Sequence, residues 1–113
     1  MISPGEIYMA DIPRGQKHPV VVLSREELNQ GIQVITAMST SVSFDVRSRL
    51  ANCVPLQAGQ FGMTKDCVIQ CENVVALSIA RMESTPVGRL DSVTMRDDVK
   101  ALGYVFDADC EPA

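Results

Sequence analysis

Apolar and polar positions divide this chain into short extended segments followed by one long helical segment. The clearest extended segment is residues 19–23, where Pro19 precedes three valines and a leucine. Such a β-branched apolar run is typical of a strand buried on both faces. Because proline has no N–H to give to a sheet ladder, Pro19 is expected to be the first residue of this strand. Similar runs predict five more strands, at residues 5–11, 32–38, 50–56, 66–73 and 74–82.

Near the C-terminus, four apolar residues recur at helical spacing: Met95, Val99, Leu102 and Phe106. This stripe predicts a long helix that turns one face to the core, with its N-cap within residues 90–92. Asp97 and Asp98 are expected to favour the positive end of the helix dipole.

The segments between the strands predict a short helix and loops. Ser24, with Glu27 three residues later, forms a capping box, so a helix of a turn or two is expected before Gly31. Residues 42–48 and 57–65 are predicted to be loops because they are polar or rich in glycine.

Six short strands and one terminal helix predict a mainly β fold of the α+β type, a small antiparallel barrel with a C-terminal helix packed on it. At 113 residues the chain is long enough for one domain with one core, residues 1–113. Residues 107–113 are expected to be a frayed acidic tail.

Charge and hydropathy narrow the classes of function. The net charge of −4 argues against a protein that coats nucleic acid with its whole surface, so any polynucleotide must bind a local basic patch. No apolar run approaches the ~18 residues of a membrane span, and no signal peptide is visible at the N-terminus. A cytoplasmic location is therefore expected.

The cysteine pattern does not indicate a metal site. Cys53, Cys67, Cys71 and Cys110 form no C-x-x-C pair, and the chain has a single histidine, so neither zinc nor another cofactor is expected. Reduced, structural cysteines are predicted, and Cys67 and Cys71 share strand parity and are expected on one face of a strand.

The candidate chemistry lies in the loop before the valine-rich strand. Arg14, Lys17 and His18 all stand there, and each can bind an anion or move a proton. Arg47 and Arg49, in a second predicted loop, are candidates for phosphate contact as well. The ordinary alternative for each of these residues is a solvated charge on a loop.

Four segments of the chain, taken together, carry a family resemblance. They are Pro4-Gly5-Glu6-Ile7-Tyr8 with Asp11, Pro19-Val20-Val21-Val22-Leu23-Ser24 with Asn29, Asp66-Cys67-Val68-Ile69, and Val87-Gly88-Arg89-Leu90 with Met95, Val99 and Ala101-Leu102. In this order and spacing they resemble the MazF/PemK family of toxin endoribonucleases over nearly the whole chain.

The resemblance implies an SH3-like barrel, a homodimer, and metal-independent cleavage of single-stranded RNA as the toxin of a toxin–antitoxin pair. It also implies an antitoxin partner whose acidic segment occupies the RNA groove. At the family's catalytic Arg and Thr positions this chain has His18 and Ser39. His18 would then serve as acid or base, and Ser39 would hydrogen-bond the phosphate. Thr40 takes the latter place if the alignment shifts by one residue.

Two functions of different classes stay open at this point. The first is the endoribonuclease, with Arg14, Lys17, Thr40, Arg47 and Arg49 as RNA-binding residues. The alternative is a catalytically degenerate barrel that acts as a non-catalytic binding module or as an inhibitor of a target such as gyrase. The retained hydroxyl and the nearby cations favour the first, and the histidine at the arginine position favours the second.

Overall fold

The computed structural model describes residues 1–12 and 15–108, and within them six antiparallel strands form one curled sheet. The strands are β1 (Glu6–Asp11), β2 (Lys17–Val22), β3 (Gln33–Thr40), β4 (Cys53–Leu56), β5 (Cys67–Ser78) and β6 (Gly88–Arg89). Their order across the sheet is β4-β5-β3-β2-β1-β6. A four-residue helix, α1 (Phe44–Arg47), precedes β4, and the main helix, α2 (Ser92–Val105), follows β6. The predicted fold class, a mainly β barrel-like sheet with a C-terminal helix, is confirmed.

The valine-rich segment lies inside the sheet, as β2 between β1 and β3. Val21 packs in a core cluster with Ile7 and Leu56, whereas Val20 and Val22 belong to a second cluster on the opposite face. All three valines are at most 1% exposed, which confirms burial on both faces.

Pro19 is the third residue of β2, so its prediction as the first residue was wrong. The pairing of β2 with β3 begins only at Val20, opposite Met38. Leu23 donates its N–H to the carbonyl of Ile35 in β3. Because alternate residues of a strand direct their nitrogens to the same side, the nitrogen of Pro19 also faces β3. The missing N–H therefore falls where the ladder has already ended.

Helix α2 is present, but its buried face differs from the predicted stripe. Its N-cap is Asp91, whose side chain accepts the N–H of Thr94 at 2.8 Å. Met95, Leu102 and Val105 pack against the core, while Val99 and Phe106 are exposed. Asp98 lies in the middle of the helix and is fully buried, so its expected role at the positive end of the dipole was wrong.

The predicted fifth and sixth strands are one strand, β5. Ala37 of β3 pairs with Val74, but the next residue, Met38, pairs with Gln70, so residues 71–73 are extra on the β5 side. A bulge of this kind bends and twists a strand without ending it. The bend between residues 73 and 74 was predicted, but the division into two strands there was wrong. The sixth strand of the sheet is the two-residue β6, which was not predicted.

The capping box at Ser24 was also wrong. The hydroxyl of Ser24 accepts the N–H of Ile35 at 3.0 Å and hydrogen-bonds the side chain of Asn29 instead. The short helix that follows is a single 3-10 turn, Leu28–Gln30. Residues 42–48 contain α1 rather than only loop, whereas residues 57–65 are a loop as predicted.

The described cysteines, Cys53, Cys67 and Cys71, are buried free thiols, and Cys67 and Cys71 share one core cluster as predicted. Residues 109–113 of the predicted acidic tail, which include Cys110, lie outside the described residues. Among the described helices, none has the length and hydropathy needed to cross a membrane.

Candidate functional site

The hairpin between β1 and β2 brings the candidate residues to one end of the sheet. The Asp11 carboxylate accepts the N–H of Gly15 at 2.6 Å, and Ile12 donates its N–H to the Gln16 carbonyl at 3.0 Å. Gly15 has a φ of 88°, a conformation that glycine adopts at little cost. These contacts close the turn, so β2 begins at Lys17 and pairs at once with Asp11.

An open cleft of about 510 Å³ lies at this end of the sheet, a size typical of ligand sites. Its walls come from the start of β2, the end of β3 and the loop between β4 and β5. The polar residues that line it are Lys17, His18, Ser39, Thr40, Ser41, Thr64 and Lys65. The structure therefore brings together four of the residues singled out from the sequence: Lys17, His18, Ser39 and Thr40.

His18 is half-buried in β2 opposite Ala10. Its imidazole makes no hydrogen bond or ion pair within residues 1–12 and 15–108. Both ring nitrogens are therefore available to a ligand in the cleft, as an acid or base requires.

The two hydroxyls at the end of β3 differ in their partners. Ser39 is only 3% exposed, and its hydroxyl donates to the carbonyl of Pro19 at 2.7 Å. The Thr40 hydroxyl oxygen instead accepts the N–H of Val42 at 3.2 Å, and Thr40 is half-buried. Each hydroxyl carries one proton. Within the described residues the proton of Ser39 is engaged by the backbone, whereas that of Thr40 has no acceptor and can be donated into the cleft.

Two ammonium groups line the cleft. The Nζ of Lys17 lies 3.4 Å from Oε2 of Glu83, and both side chains are about half exposed. Lys65 makes no ion pair within the described part of the chain, where the pairs are Lys17–Glu83 and Arg25–Glu27.

Lys65 and Thr64 were not predicted as site residues, because they stand in a loop far along the sequence from His18. Two glycines hold that loop in place. A Cβ on Gly62 would lie 2.0 Å from the Val87 carbonyl oxygen, and one on Gly88 would lie 1.8 Å from the Phe61 carbonyl oxygen. The loop and β6 thus cross in backbone contact, a close approach that only glycine permits. The glycines of residues 57–65 were the available signal, but they do not reveal which strand the loop approaches.

The other predicted cations lie elsewhere. Arg14 lies outside the described residues. Arg47 ends α1 and acts electrostatically on Cys53, and neither Arg47 nor Arg49 lines the cleft. Their contact with RNA stays a prediction for nucleotides that extend beyond the cleft.

Cys67 is the cysteine that lines the cleft. Burial, with the charge of Asp66 as a smaller cause, raises the pKa of the Cys67 thiol. A raised pKa favours the protonated thiol over the thiolate, and the thiolate is the nucleophilic form. The arrangement therefore suits proton transfer and anion binding better than thiol chemistry. Across residues 1–12 and 15–108, no three His, Cys, Asp or Glu side chains gather as metal ligands would.

A curled antiparallel sheet with the helix α2 against its core and a basic, hydroxyl-rich cleft at one end defines a small, mainly β, barrel-like protein. A family model described as PemK-like, MazF-like toxin of type II toxin–antitoxin system matches residues 3–106. The chain belongs to this toxin family, which confirms the resemblance read from the sequence.

Solved structures share the fold. The Mycobacterium tuberculosis toxin MazF-mt6 is 24% identical with a TM-score of 0.78, and the match covers 92% of this chain and 98% of that one. An endoribonuclease in complex with its cognate antitoxin, from a mycobacterial species, is 16% identical with a TM-score of 0.81, over 98% and 100% of the two chains. A MazE–MazF structure from Deinococcus radiodurans is 15% identical with a TM-score of 0.75, over 96% and 97%. Among curated proteins, none matches this sequence.

Proposed function

We propose that this toxin is a metal-independent endoribonuclease that cleaves single-stranded RNA. The observation that carries the proposal is the convergence of four groups in one cleft: the His18 imidazole, which has no partner among the described residues, the Thr40 hydroxyl, and the Lys17 and Lys65 ammonium groups. RNA cleavage without a metal needs a base, an acid and groups that stabilise the charged phosphorane. The imidazole can transfer a proton, and the hydroxyl and ammonium groups can stabilise the charge. The family assignment supports the toxin over the alternative of a degenerate binding module.

The reaction needs two proton transfers. The 2′-oxygen of a ribose attacks the adjacent phosphorus while the bond from phosphorus to the 5′-oxygen breaks. The 2′-hydroxyl loses its proton to a base, and the leaving 5′-oxygen gains one from an acid, which gives a 2′,3′-cyclic phosphate and a 5′-hydroxyl. His18 carries out one of these proton transfers, as acid or base. Solvent water carries out the other, because the cleft is open to solvent.

The two hydroxyls of β3 have separate roles in this proposal. Thr40 donates to a phosphate oxygen, since its proton is not engaged elsewhere in the described chain. Ser39 is a positioning residue: its bond to the Pro19 carbonyl ties the end of β3 to the strand that carries His18. Arg14, Arg47 and Arg49 contact phosphates along the rest of the bound strand.

Three further features complete the proposal. The toxin is a homodimer that works in the cytoplasm, where its RNA substrate is found. Its antitoxin contributes an acidic segment that covers the cleft, because carboxylates compete with phosphates for the same cations. One structural relative is itself an endoribonuclease in complex with its cognate antitoxin.

The test is cleavage of a long, weakly structured RNA by the purified protein in EDTA. Discrete fragments that end in 2′,3′-cyclic phosphate, with 5′-hydroxyl partners, are expected. RNA that stays intact, or that is cut only when a divalent metal is added, contradicts the proposal. Intact RNA together with binding to a protein target would instead establish the degenerate-module alternative.

A further inference from the structure

The positive charge of the cleft comes from two side chains on opposite sides of the sheet end. Lys17 stands at the start of β2, and Lys65 stands at the end of the β4–β5 loop, directly before Asp66. Both line the cleft that holds His18. The charge on a phosphate under attack is stabilised by cations and hydrogen-bond donors that contact its oxygens.

The two lysines are not equally available to a ligand. Glu83 holds Lys17, with its Oε2 3.4 Å from the ammonium nitrogen. The backbone of Glu83 is itself fixed, because its N–H donates to the carbonyl of Met9, a residue that lines the cleft. The backbone of Glu83 is therefore anchored beside the cleft, and its carboxylate offsets the charge of Lys17.

Lys65 has no such competitor among the described residues. The carboxylate beside it, Asp66, accepts the N–H of Ala58 at 2.8 Å and so closes the base of the loop. Met63 accepts the N–H of Gly59 at 2.8 Å, and Gly62 is locked against Val87. The loop is thus held by its own hydrogen bonds, and it presents the exposed Lys65 to the cleft without an ion pair.

We propose that Lys65 is the principal phosphate-contacting residue of the cleft, and that Lys17 joins it only when a phosphate displaces Glu83. The inference rests on the proposed function, since RNA supplies the phosphate. Displacement is feasible because an exposed ion pair is weak and is exchanged for a second charge-assisted bond. Glu83 then acts as an intramolecular competitor that lowers the affinity for RNA.

The two parts of the proposal predict changes of opposite sign. Lys65→Ala should weaken binding by about five- to tenfold at low salt and reduce the slope of log K against log salt by roughly 0.7, one single-strand phosphate contact. Lys65→Arg should keep both the affinity and the slope. Glu83→Gln should tighten binding by up to about fivefold, the range open to an exposed ion pair. Lys17→Ala should weaken binding less than Lys65→Ala does.

The matched control is Lys100→Ala, which removes an exposed lysine of α2 that lines a different surface cleft, beside Tyr104. It should leave the affinity and the slope unchanged. Binding is measured by fluorescence anisotropy with a mixed-sequence, 2′-O-methylated single strand that cannot be cut, over a series of salt concentrations. Circular dichroism of each variant establishes that it is folded.

Two failures are distinguishable. If the wild type cuts RNA in EDTA but Lys65→Ala binds as Lys100→Ala does, Lys65 is not a phosphate contact and the endoribonuclease assignment stands. If Glu83→Gln binds no more tightly than wild type, Glu83 does not compete. A wild type that neither binds the strand nor cuts RNA overturns the proposed function and this inference with it.

Discussion

At the scale of single residues, His18 is distinguished by having no hydrogen-bond or ion-pair partner among the residues that the structure describes. The valines of β2 are buried in the core and Lys17 pairs with Glu83, whereas this imidazole lines the cleft without a hydrogen bond in the described structure. A half-buried polar group left free in this way does not stabilise the fold, so its replacement should affect chemistry more than folding.

His18→Gln is therefore expected to lower the single-turnover rate of RNA cleavage by about 10²-fold or more, because glutamine keeps a polar group but moves no proton. The urea midpoint should stay within error of wild type. His18→Arg tests whether a positive charge at this position can replace proton transfer, since arginine supplies charge but does not transfer a proton. Normal cleavage by His18→Gln would remove His18 from the proton-transfer role.

Removal of the Ser39 hydroxyl should mainly affect stability, whereas removal of the neighbouring Thr40 hydroxyl should mainly affect the cleavage rate. Ser39→Ala leaves the Pro19 carbonyl without its donor, so it should lower the free energy of unfolding by about 1–2 kcal/mol. Thr40→Val removes the hydroxyl donor but keeps a side chain of similar shape at a half-buried position. It should therefore lower the cleavage rate about tenfold or more with little loss of stability.

Urea unfolding and single-turnover cleavage of both variants provide the measurement. Each variant is the control for the other, since the two residues are adjacent in β3. A Ser39→Ala protein with wild-type stability and a lost rate would reverse the two assignments.

At the scale of elements, the contact of α2 with β5 contains a buried carboxyl. Asp98 is fully buried, and its Oδ1 accepts the Cys71 thiol at 3.2 Å, while Oδ2 has no partner among the described residues. Burial raises the pKa of Asp98, and the weaker effect of the Cys71 hydrogen bond lowers it. Burial, together with the charge of Asp98, in turn raises the pKa of the Cys71 thiol.

The raised pKa of Asp98 fixes the sign of a pH effect. Between the ordinary carboxyl value of 3.8 and the raised value, the folded state binds more protons than the unfolded state, so stability falls as pH rises. Asp98→Asn removes this dependence. Its free energy of unfolding relative to wild type should therefore increase as pH rises from about 4 towards neutrality.

Urea unfolding of wild type and Asp98→Asn across that range measures the difference, and Asp97→Asn is the matched control because Asp97 is exposed on the same helix. The Asp97 variant should show no such trend. If the difference in free energy of unfolding between wild type and Asp98→Asn is constant with pH, the pKa of Asp98 does not differ between the folded and unfolded states.

At the scale of the whole molecule, several large apolar side chains lie on the surface. Ile32 is 83% exposed, and Leu28 and Val46 are each more than 60% exposed. Exposed apolar area of this kind favours association, and twofold symmetry is the commonest arrangement of homo-oligomers.

Sedimentation velocity at micromolar concentration should therefore show a species of twice the 12.3 kDa chain mass. The species should persist in high salt, since burial of apolar surface is not screened as charge pairs are. A single 12.3 kDa species over the same range would contradict the homodimer.

Much of the fold follows from the sequence, because local pattern and burial agree there. The run of valines in β2 favours the interior of a sheet, and an N-cap within residues 90–92 with helical spacing after it predicts α2. Lys17 and His18 were candidates because a loop beside a buried strand brings polar groups to a rigid edge. Ser39 was a candidate only through the family resemblance, because it stands at the position of the family's catalytic threonine.

Tertiary structure alone decided the rest. Whether β5 bends or breaks depends on its register with β3, and the buried face of α2 depends on which core residues it meets, so Val99 is exposed and Asp98 is buried. Lys65 reaches the cleft because the loop that carries it crosses β6 at Gly62 and Gly88. Thr40 differs from Ser39 in its hydrogen-bond partner and in its burial. Contacts between residues distant in sequence depend on the folded path of the backbone, and local periodicity does not encode that path.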